Sequence, residues 1–371
     1  MIKITAMMIL CVLLAYNSET YTNEQIRRGR YYSVLKDRAF LLLVVAMVLF
    51  AGLRRAYNDT WNYINGFNND PGLSGFFAGE INLLKNPLFD FYRSALKDIT
   101  NNAQIMIFTT SAFSQVCFLL FFKRYSHNFT FSVFLYFALG TVNVSLAAIK
   151  QVCAMAIATL AFPYLEKKQW GKYYLIIFIA MLTHTYALAY AVLPLFSKRP
   201  WKLFTYLFAL GLVVVMLNFE SAISAFMDQA EEAGKKLYAE EIFDDYGVNI
   251  LRVAVYAVAP LISFAFRKWI FRNSGTGEHI VVHMSIISCA FMVMGTQSGA
   301  NMFARMAHYF ELGTICCLPW MLQKTFDERS YRLMSRITVG CFLIFFVYMN
   351  LIDMRFDEVY KAGSIFSLFG F

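Results

Sequence analysis

The hydrophobic positions of this chain gather into uninterrupted runs, most of roughly 17–22 residues, the length a helix needs to cross a hydrocarbon core of about 30 Å. The runs at 3–16, 39–54, 103–122, 129–147, 149–165, 203–219, 250–266, 280–297, 306–323 and 336–352 predict about ten membrane-spanning helices. The first is short, but Lys3 is the only charge ahead of it and no small-x-small cleavage site follows Tyr16 cleanly, so it reads as a helix rather than a signal peptide. Two long loops, 55–102 and 220–249, separate spans. No repeat and no Pro/Gly-rich linker is visible, so 1–371 reads as a single transmembrane domain.

Composition agrees with the pattern. Hydrophobic residues make up 59% of 371 positions and charged residues 15%, with a mean hydropathy of +0.51, whereas a soluble domain carries about 25% charged residues. The seven cysteines all lie in apolar runs without C-x-x-C spacing, which argues against a disulfide framework or a thiolate metal site. All five tryptophans fall at or near predicted span ends, as interfacial anchors do.

The net charge of +9 reflects topology rather than a nucleic-acid surface. Six groups hold most of the 33 Lys and Arg: Arg27 to Arg38; Lys123 and Arg124; Lys167 to Lys172; Lys198 to Lys202; Arg267 to Arg272; and Lys324 to Arg336. Placed on one side, they make that side cytoplasmic and put both long loops outside. The alternation then holds everywhere except at 173–196. Lys172 and Lys198 both belong inside, yet only one apolar stretch lies between them. Two half-length helices broken near Thr183-His184-Thr185 satisfy the pattern, provided the break is packed in protein or lines a cavity. The alternative is one long span that puts Lys198 and Arg199 on the outer face. The expected fold class is therefore an all-α polytopic membrane protein with about ten spans plus a broken or re-entrant pair near 173–196.

The outer loops carry two further expectations. In GFFAGEINLLKNPLFDFYRSALKD, Leu83, Leu84, Leu88, Phe91 and Tyr92 form one face of a helix lying on the membrane. In 220–249, eight acids against Lys235 and Lys236 suggest a solvated amphipathic helix.

Charged and polar groups within spans are costly and tend to mark function. Four groups fall at or toward the outer side. Arg54 and Arg55 are followed by Asp59, Trp61 and Tyr63: guanidinium forks suit phosphate oxygens, a carboxylate can act as general base, and rings can lie against sugar faces. An ordinary interfacial collar accounts for the same residues. Lys150-Gln151 opens a span, where a lysine often only snorkels. His184 sits at the expected break and can act as base near neutral pH, or be simply a packed, hydrogen-bonded ring. Arg305, with His308 and Tyr309 beyond it, follows the outer loop 297–301; Arg305 and Tyr309 share a helix face. Glu311, deeper, suits a structural ion pair with a neighbouring helix. No HExxH or outer acidic pair is present. His279 and His283 share a helix face with only Glu278 as nearby carboxylate, so neither metal nor other cofactor is expected.

These elements resemble a known family. Arg54 with Asn58-Asp59-Thr60-Trp61-Asn62-Tyr63 is similar to an arginine plus G-T-D-Y-x-x-Y element, and Ile149-Lys150-Gln151 to an I-R-Q helix. Ala180-Met181-Leu182-Thr183-His184 is similar to an A-x-x-x-H segment, and Arg305-Met306-Ala307-His308-Tyr309-Phe310 to a late R-x-x-x-Y-F motif. In this order they resemble the EpsG family of polysaccharide-biosynthesis membrane proteins, related to the Wzy-type repeat-unit polymerases. Lysine stands where the family has arginine at position 150, which keeps the charge but loses the bidentate fork. Asn58-Asp59-Thr60-Trp61 also departs from G-T-D-Y.

The resemblance implies a C-class glycosyltransferase fold and a metal-independent polymerase of the bacterial cytoplasmic membrane. Its donor and acceptor would be polyprenyl-diphosphate-linked glycans, joined on the outer face for capsule, O-antigen or exopolysaccharide; membrane lipid and a chain-length regulator would be further partners. Arg54 and Arg305 would hold the departing diphosphate, and His184 or Asp59 would take the proton of the attacking hydroxyl. Arg55, Trp61, Tyr63, Lys150, Gln151, His308 and Tyr309 would bind substrate. Two other functions compete: a transporter or flippase of lipid-linked glycans, since broken helices also serve transport, and a membrane sugar O-acyltransferase.

Overall fold

Side chains that can satisfy the first free N–H groups of a helix decide where several helices of this chain begin. Asp37 accepts from the Phe40 N–H at 2.9 Å, Asn102 from Gln104 at 3.0 Å, Asn128 from Phe131 at 2.8 Å and Asn249 from Leu251 at 2.9 Å. The computed structural model describes residues 1–29, 31–79, 81–83, 85–218, 247–297 and 301–369, with the Asn301 side chain excepted. Their α-helices are α1 (Ile2–Arg27), α2 (Arg38–Gly52), α3 (Thr60–Asn68), α4 (Leu73–Ala78), α5 (Pro87–Ile99), α6 (Ala103–Tyr125), α7 (Phe129–Ala138), α8 (Thr141–Ala147), α9 (Ile149–Thr159), α10 (Phe162–Glu166), α11 (Trp170–Thr183), α12 (Leu203–Leu217), α13 (Ile250–Ala265), α14 (Arg267–Ile270), α15 (Thr276–Met294), α16 (Asn301–Thr325), α17 (Glu328–Val347) and α18 (Phe356–Val359). The acidic loop helix expected in 220–249 falls almost wholly outside the described residues, as do Leu84 and Ser298 to Ala300.

The chain is a predominantly α-helical membrane protein, but its apolar runs do not become about ten uniform spans. Among the described residues, four helices are individually long and apolar enough to cross a bilayer: α1, α6, α15, and α17 with its π-helical extension to Asp353. The pair α7–α8, bent by 60°, counts as a fifth. The bend falls at Gly140, whose φ of 82° a side chain would strain. Arg38–Gly52, Trp170–Thr183, Thr185–Phe196, Leu203–Leu217 and Ile250–Ala265 form shorter apolar helices, which at 1.5 Å per residue fall short of a full straight crossing. The run at 149–165 is divided between α9 and α10, with Pro163 in the first turn of α10. Polar breaks, glycine and proline thus shorten runs whose hydropathy alone predicts full length.

Other expectations change as well. α1 continues past 16 to Arg27, because its polar residues find partners: Ser18 donates to Asp37 at 2.7 Å, and Glu19 accepts from the Thr130 N–H at 2.9 Å. Trp320 is no interfacial anchor; it is buried inside α16 and stacks on His127 at 5.9 Å. α15 and α16 touch backbone to backbone at Gly313, where a Cβ would stand 2.3 Å from that of Met284. The fold is not purely α either. β1 (Arg54–Ala56) pairs antiparallel with β2 (Lys361–Ala362), and the Tyr360 hydroxyl donates to the Phe50 carbonyl at 2.7 Å.

The loop 55–102 is a folded cap made of α3, α4 and α5. It rests on a small separate core in which Phe67 and Phe89 meet Met106, Ile107, Ile149 and Cys153 of the bundle. The expected surface helix begins later than its apolar pattern, at Pro87, after Asn86 in the left-handed region (φ 58°). Leu83 therefore lies before the helix, and Phe91 turns to Phe76 and Phe77 rather than joining Leu88 and Tyr92.

Candidate functional site

The site grows from the place where α11 stops. The N–H of His184 still bonds the Ala180 carbonyl at 2.9 Å, but its backbone is extended (φ −155°, ψ 118°). A 3-10 helix, Thr185–Phe196, follows and runs back along α11. Tyr173 donates to the Tyr190 carbonyl at 2.6 Å, so residues far apart in sequence lie side by side. The chain reverses at the position where the charge pattern placed a break, which decides against a single long span over 173–196.

Two elements clamp this reversal. On one side, the Tyr309 hydroxyl of α16 meets His184 Nδ1 at 2.6 Å, with the two rings stacked, and Tyr190 donates to the Tyr309 carbonyl. On the other, Asn86 Oδ1 accepts from the N–H of Thr185 at 3.1 Å and from its hydroxyl at 3.3 Å. The left-handed backbone of Asn86 aims that amide at the break, a conformation asparagine tolerates better than most residues. Tyr186 packs edge-on against His184 at 5.2 Å.

Arg305 lies one helical turn before Tyr309. Its side chain is exposed and makes no hydrogen bond or ion pair among the described residues, though its charge acts on Tyr63 and Tyr186. Its carbonyl accepts from Gln151 Nε2 at 3.0 Å. The neighbouring Lys150 is held more tightly. Its ammonium lies 3.0 Å from Asp90 and 5.1 Å from the centre of the Phe89 ring, and its N–H donates to the Tyr63 hydroxyl at 3.4 Å. Asp90 also pairs with Arg93 at 3.2 Å, and Arg93 with Asp70 at 2.6 Å. Burial pushes the Tyr63 phenol up to about 12, so it stays protonated at neutral pH.

The structure therefore brings together His184, Tyr309, Arg305, Gln151, Lys150 and Tyr63. The remaining expected residues stand elsewhere. Arg54 is fully buried below the cap and bonds the Ala51 carbonyl, Ser111 at 2.8 Å and Thr60 at 3.3 Å, with one amine, Nη2, without a hydrogen-bond partner among the described residues. Arg55 is exposed on β1, and Trp61 is 69% exposed on α3. Asp59 precedes α3 with its carboxylate unbonded among the described residues, close enough to act on Tyr63. His308 turns away from the cluster toward buried Glu311, 2.9 Å away, and Tyr256, 3.4 Å away. Glu311 thus pairs within its own helix rather than with a neighbour. Sequence reasoning missed Asp90 and Asn86. The Asn-Pro pair at 86–87 is a helix-start signal that pointed to Asn86; nothing in the sequence singles out Asp90 among the acids of the loop.

A profile of the EpsG family matches residues 37–361, most of the chain. This chain belongs to the EpsG family. No curated protein and no solved structure matches it. EpsG membership makes it a membrane protein of polysaccharide biosynthesis. The EpsG match takes in the whole cluster from Tyr63 to Tyr309 and ends at Lys361, the first residue of β2.

Proposed function

We propose that this EpsG protein is a glycan repeat-unit polymerase, a C-class glycosyltransferase of the bacterial cytoplasmic membrane whose active site faces outward. It joins polyprenyl-diphosphate-linked oligosaccharides destined for capsule, O-antigen or exopolysaccharide. The observation that carries this reading is that Arg305, whose guanidinium has no partner among the described residues, lies one helical turn from Tyr309, which holds the imidazole of His184 at a helix break. A hydroxyl of the acceptor glycan attacks the anomeric carbon of the donor, whose bond to the diphosphate oxygen breaks. The hydroxyl proton passes to His184 in the tautomer whose Nδ1–H donates to Tyr309, which leaves the basic lone pair on Nε2. Asp59 is the second candidate base. Charge developing on the diphosphate is met by Arg305 and Lys150, fixed cations that need no rearrangement as the bond breaks. Arg54, buried and bonded to Ala51 and Ser111, supports the floor of this site. A chain-length regulator is the further partner such an activity implies.

A broken helix favours a second reading, a flippase for the same lipid-linked glycan. Purified protein in liposomes, supplied with a lipid-linked repeat unit, separates the two. Polymerisation gives a ladder of lengthening glycans that is lost in His184→Ala. Transfer of the substrate across the bilayer without any ladder overturns the proposal.

A further inference from the structure

Helix α5 separates two cavities of opposite character. Leu88, Phe89 and Tyr92 line one of about 220 Å³, closed by Phe113, Cys153 and Thr183 and almost wholly apolar. Pro87, Asp90, Arg93 and Ser94, on the other face of the same helix, line one of about 300 Å³ with Asp70, Asn82 and Lys85 on its walls and Phe76 as an aromatic side. The helical period makes this division, since positions 88 and 92 share a face that 90, 93 and 94 do not. Between the two faces lies the Asp90–Lys150 pair. The apolar cavity is lined by neighbours of the site residues: Cys153 is one turn along α9 from Lys150, and Thr183 is the residue before His184.

We infer that α5 sorts a polyprenyl-diphosphate-linked glycan by chemistry, with the isoprenoid chain on its apolar face, the first sugars in its polar cavity and the diphosphate between them beside Lys150 and Arg305. The inference rests on the polymerase reading and specifies how its substrate lies. Three features argue for this occupant. Lipid tails are as apolar as leucine, so the groove can hold a chain only by shape, and the isoprenoid is the chain that a diphosphate at its mouth would tether there. Lys150, Arg93 and Arg305 together outnumber Asp90 and Asp70 by one charge, which suits an anionic group. The polar cavity offers carboxylate, amide, hydroxyl and guanidinium groups beside a ring, as sugar hydroxyls and sugar faces require. Asn86, directly before α5, is bonded to Thr185, so the dividing helix is fixed to the catalytic break.

The test measures dissociation constants of the detergent-purified protein for undecaprenyl diphosphate, inorganic diphosphate and a glycan-bearing undecaprenyl diphosphate. Cys153→Trp fills the apolar cavity and is expected to weaken undecaprenyl diphosphate by about tenfold while leaving inorganic diphosphate within about twofold. Thr109→Trp, at an exposed position lining the same cavity, repeats the test should tryptophan at 153 disturb packing. Ile81→Trp, on the rim of the polar cavity, should weaken only the glycan-bearing probe, again by about tenfold. Groove variants that bind undecaprenyl diphosphate as wild type does overturn the sorting role while leaving the polymerase reading intact. If wild type binds none of the three probes, that reading falls and the sorting role falls with it.

Discussion

The two ends of the bundle use the same kinds of residue and finish them differently. At the end assigned to the cytoplasm, Lys123 donates to the Ser18 hydroxyl at 2.6 Å, lies 3.6 Å from Asp37 and sits 4.6 Å from the centre of the Phe129 ring. Asp37 in turn accepts from Tyr32 at 3.0 Å, from Ser18 at 2.7 Å and from the N–H of Phe40 at 2.9 Å. That network is closed: its buried charges meet one another and the start of α2. At the other end, Lys150 repeats the arrangement with Asp90 and Phe89, but Arg305 and Asp59, whose charges act on Tyr63, have no such partners among the described residues. Buried charge that is fully paired holds helices together, whereas Arg305 and Asp59 are exposed and, under the proposed function, meet a ligand. The presence of Lys, Asp and Tyr does not separate the two cases; completeness of pairing does.

The comparison can be broken by substitution. Arg305→Ala is expected to lower the rate of glycan extension by about 10²–10³-fold, the scale for losing one fixed group at a developing charge. The unfolding temperature in detergent should not change, and extension at the normal rate would sink the role given to Arg305. Lys123→Ala should do the reverse. It leaves Asp37 buried without its cation, a loss of about 3 kcal/mol, seen as a lowered unfolding temperature with the rate per folded molecule unchanged. Tyr309→Phe removes the hydroxyl that orients His184 and should slow extension about tenfold, with a displaced pH–rate profile. A rate loss accompanied by an unshifted profile would make Tyr309 a packing residue only. The smallest effect concerns Asp70. Burial would raise its carboxyl, but bonds from Arg93, the Gly72 N–H and Ser94 hold it below the ordinary carboxylate range. Its contribution, about 1 kcal/mol or less, is complete above the unfolded-state pKa and is lost as pH falls through the lower folded value. Acid unfolding of Asp70→Asn should therefore start from a lower stability and fall less steeply; an unchanged slope would count against the Asp70–Arg93 tie.

Much of this architecture was legible because hydropathy and charge act locally. The apolar runs locate the helices, and the basic clusters at Lys172 and Lys198 favour the reversal found at His184 over a single long span. Helix length was less legible. Gly140 bends α7–α8 and the polar half of α1 stays helical for reasons that lie in distant partners such as Thr130 and Asp37. The same limit applied to the site. His184, Arg305 and Tyr309 stand out as polar groups in apolar surroundings; His184 meets Tyr309, and Arg305 lies one turn before Tyr309 on α16. Arg54 stands out equally, yet Ser111, far along the chain, receives one of its N–H groups within the protein. Asp90 went unnoticed because a carboxylate in a polar loop gives no sign that Lys150 will fold against it.

The small sheet at the rim of α2 sets an order of assembly. β1 emerges early in synthesis, but its partner is β2, and the N–H of Gly363 also closes on the Leu53 carbonyl at 2.7 Å. The strand beside Arg54 therefore waits, unpaired, through the insertion of nearly every other helix. Completion of this rim is a late event in biogenesis, and a product truncated before Lys361 would carry all the residues of the site beneath a rim that never seals.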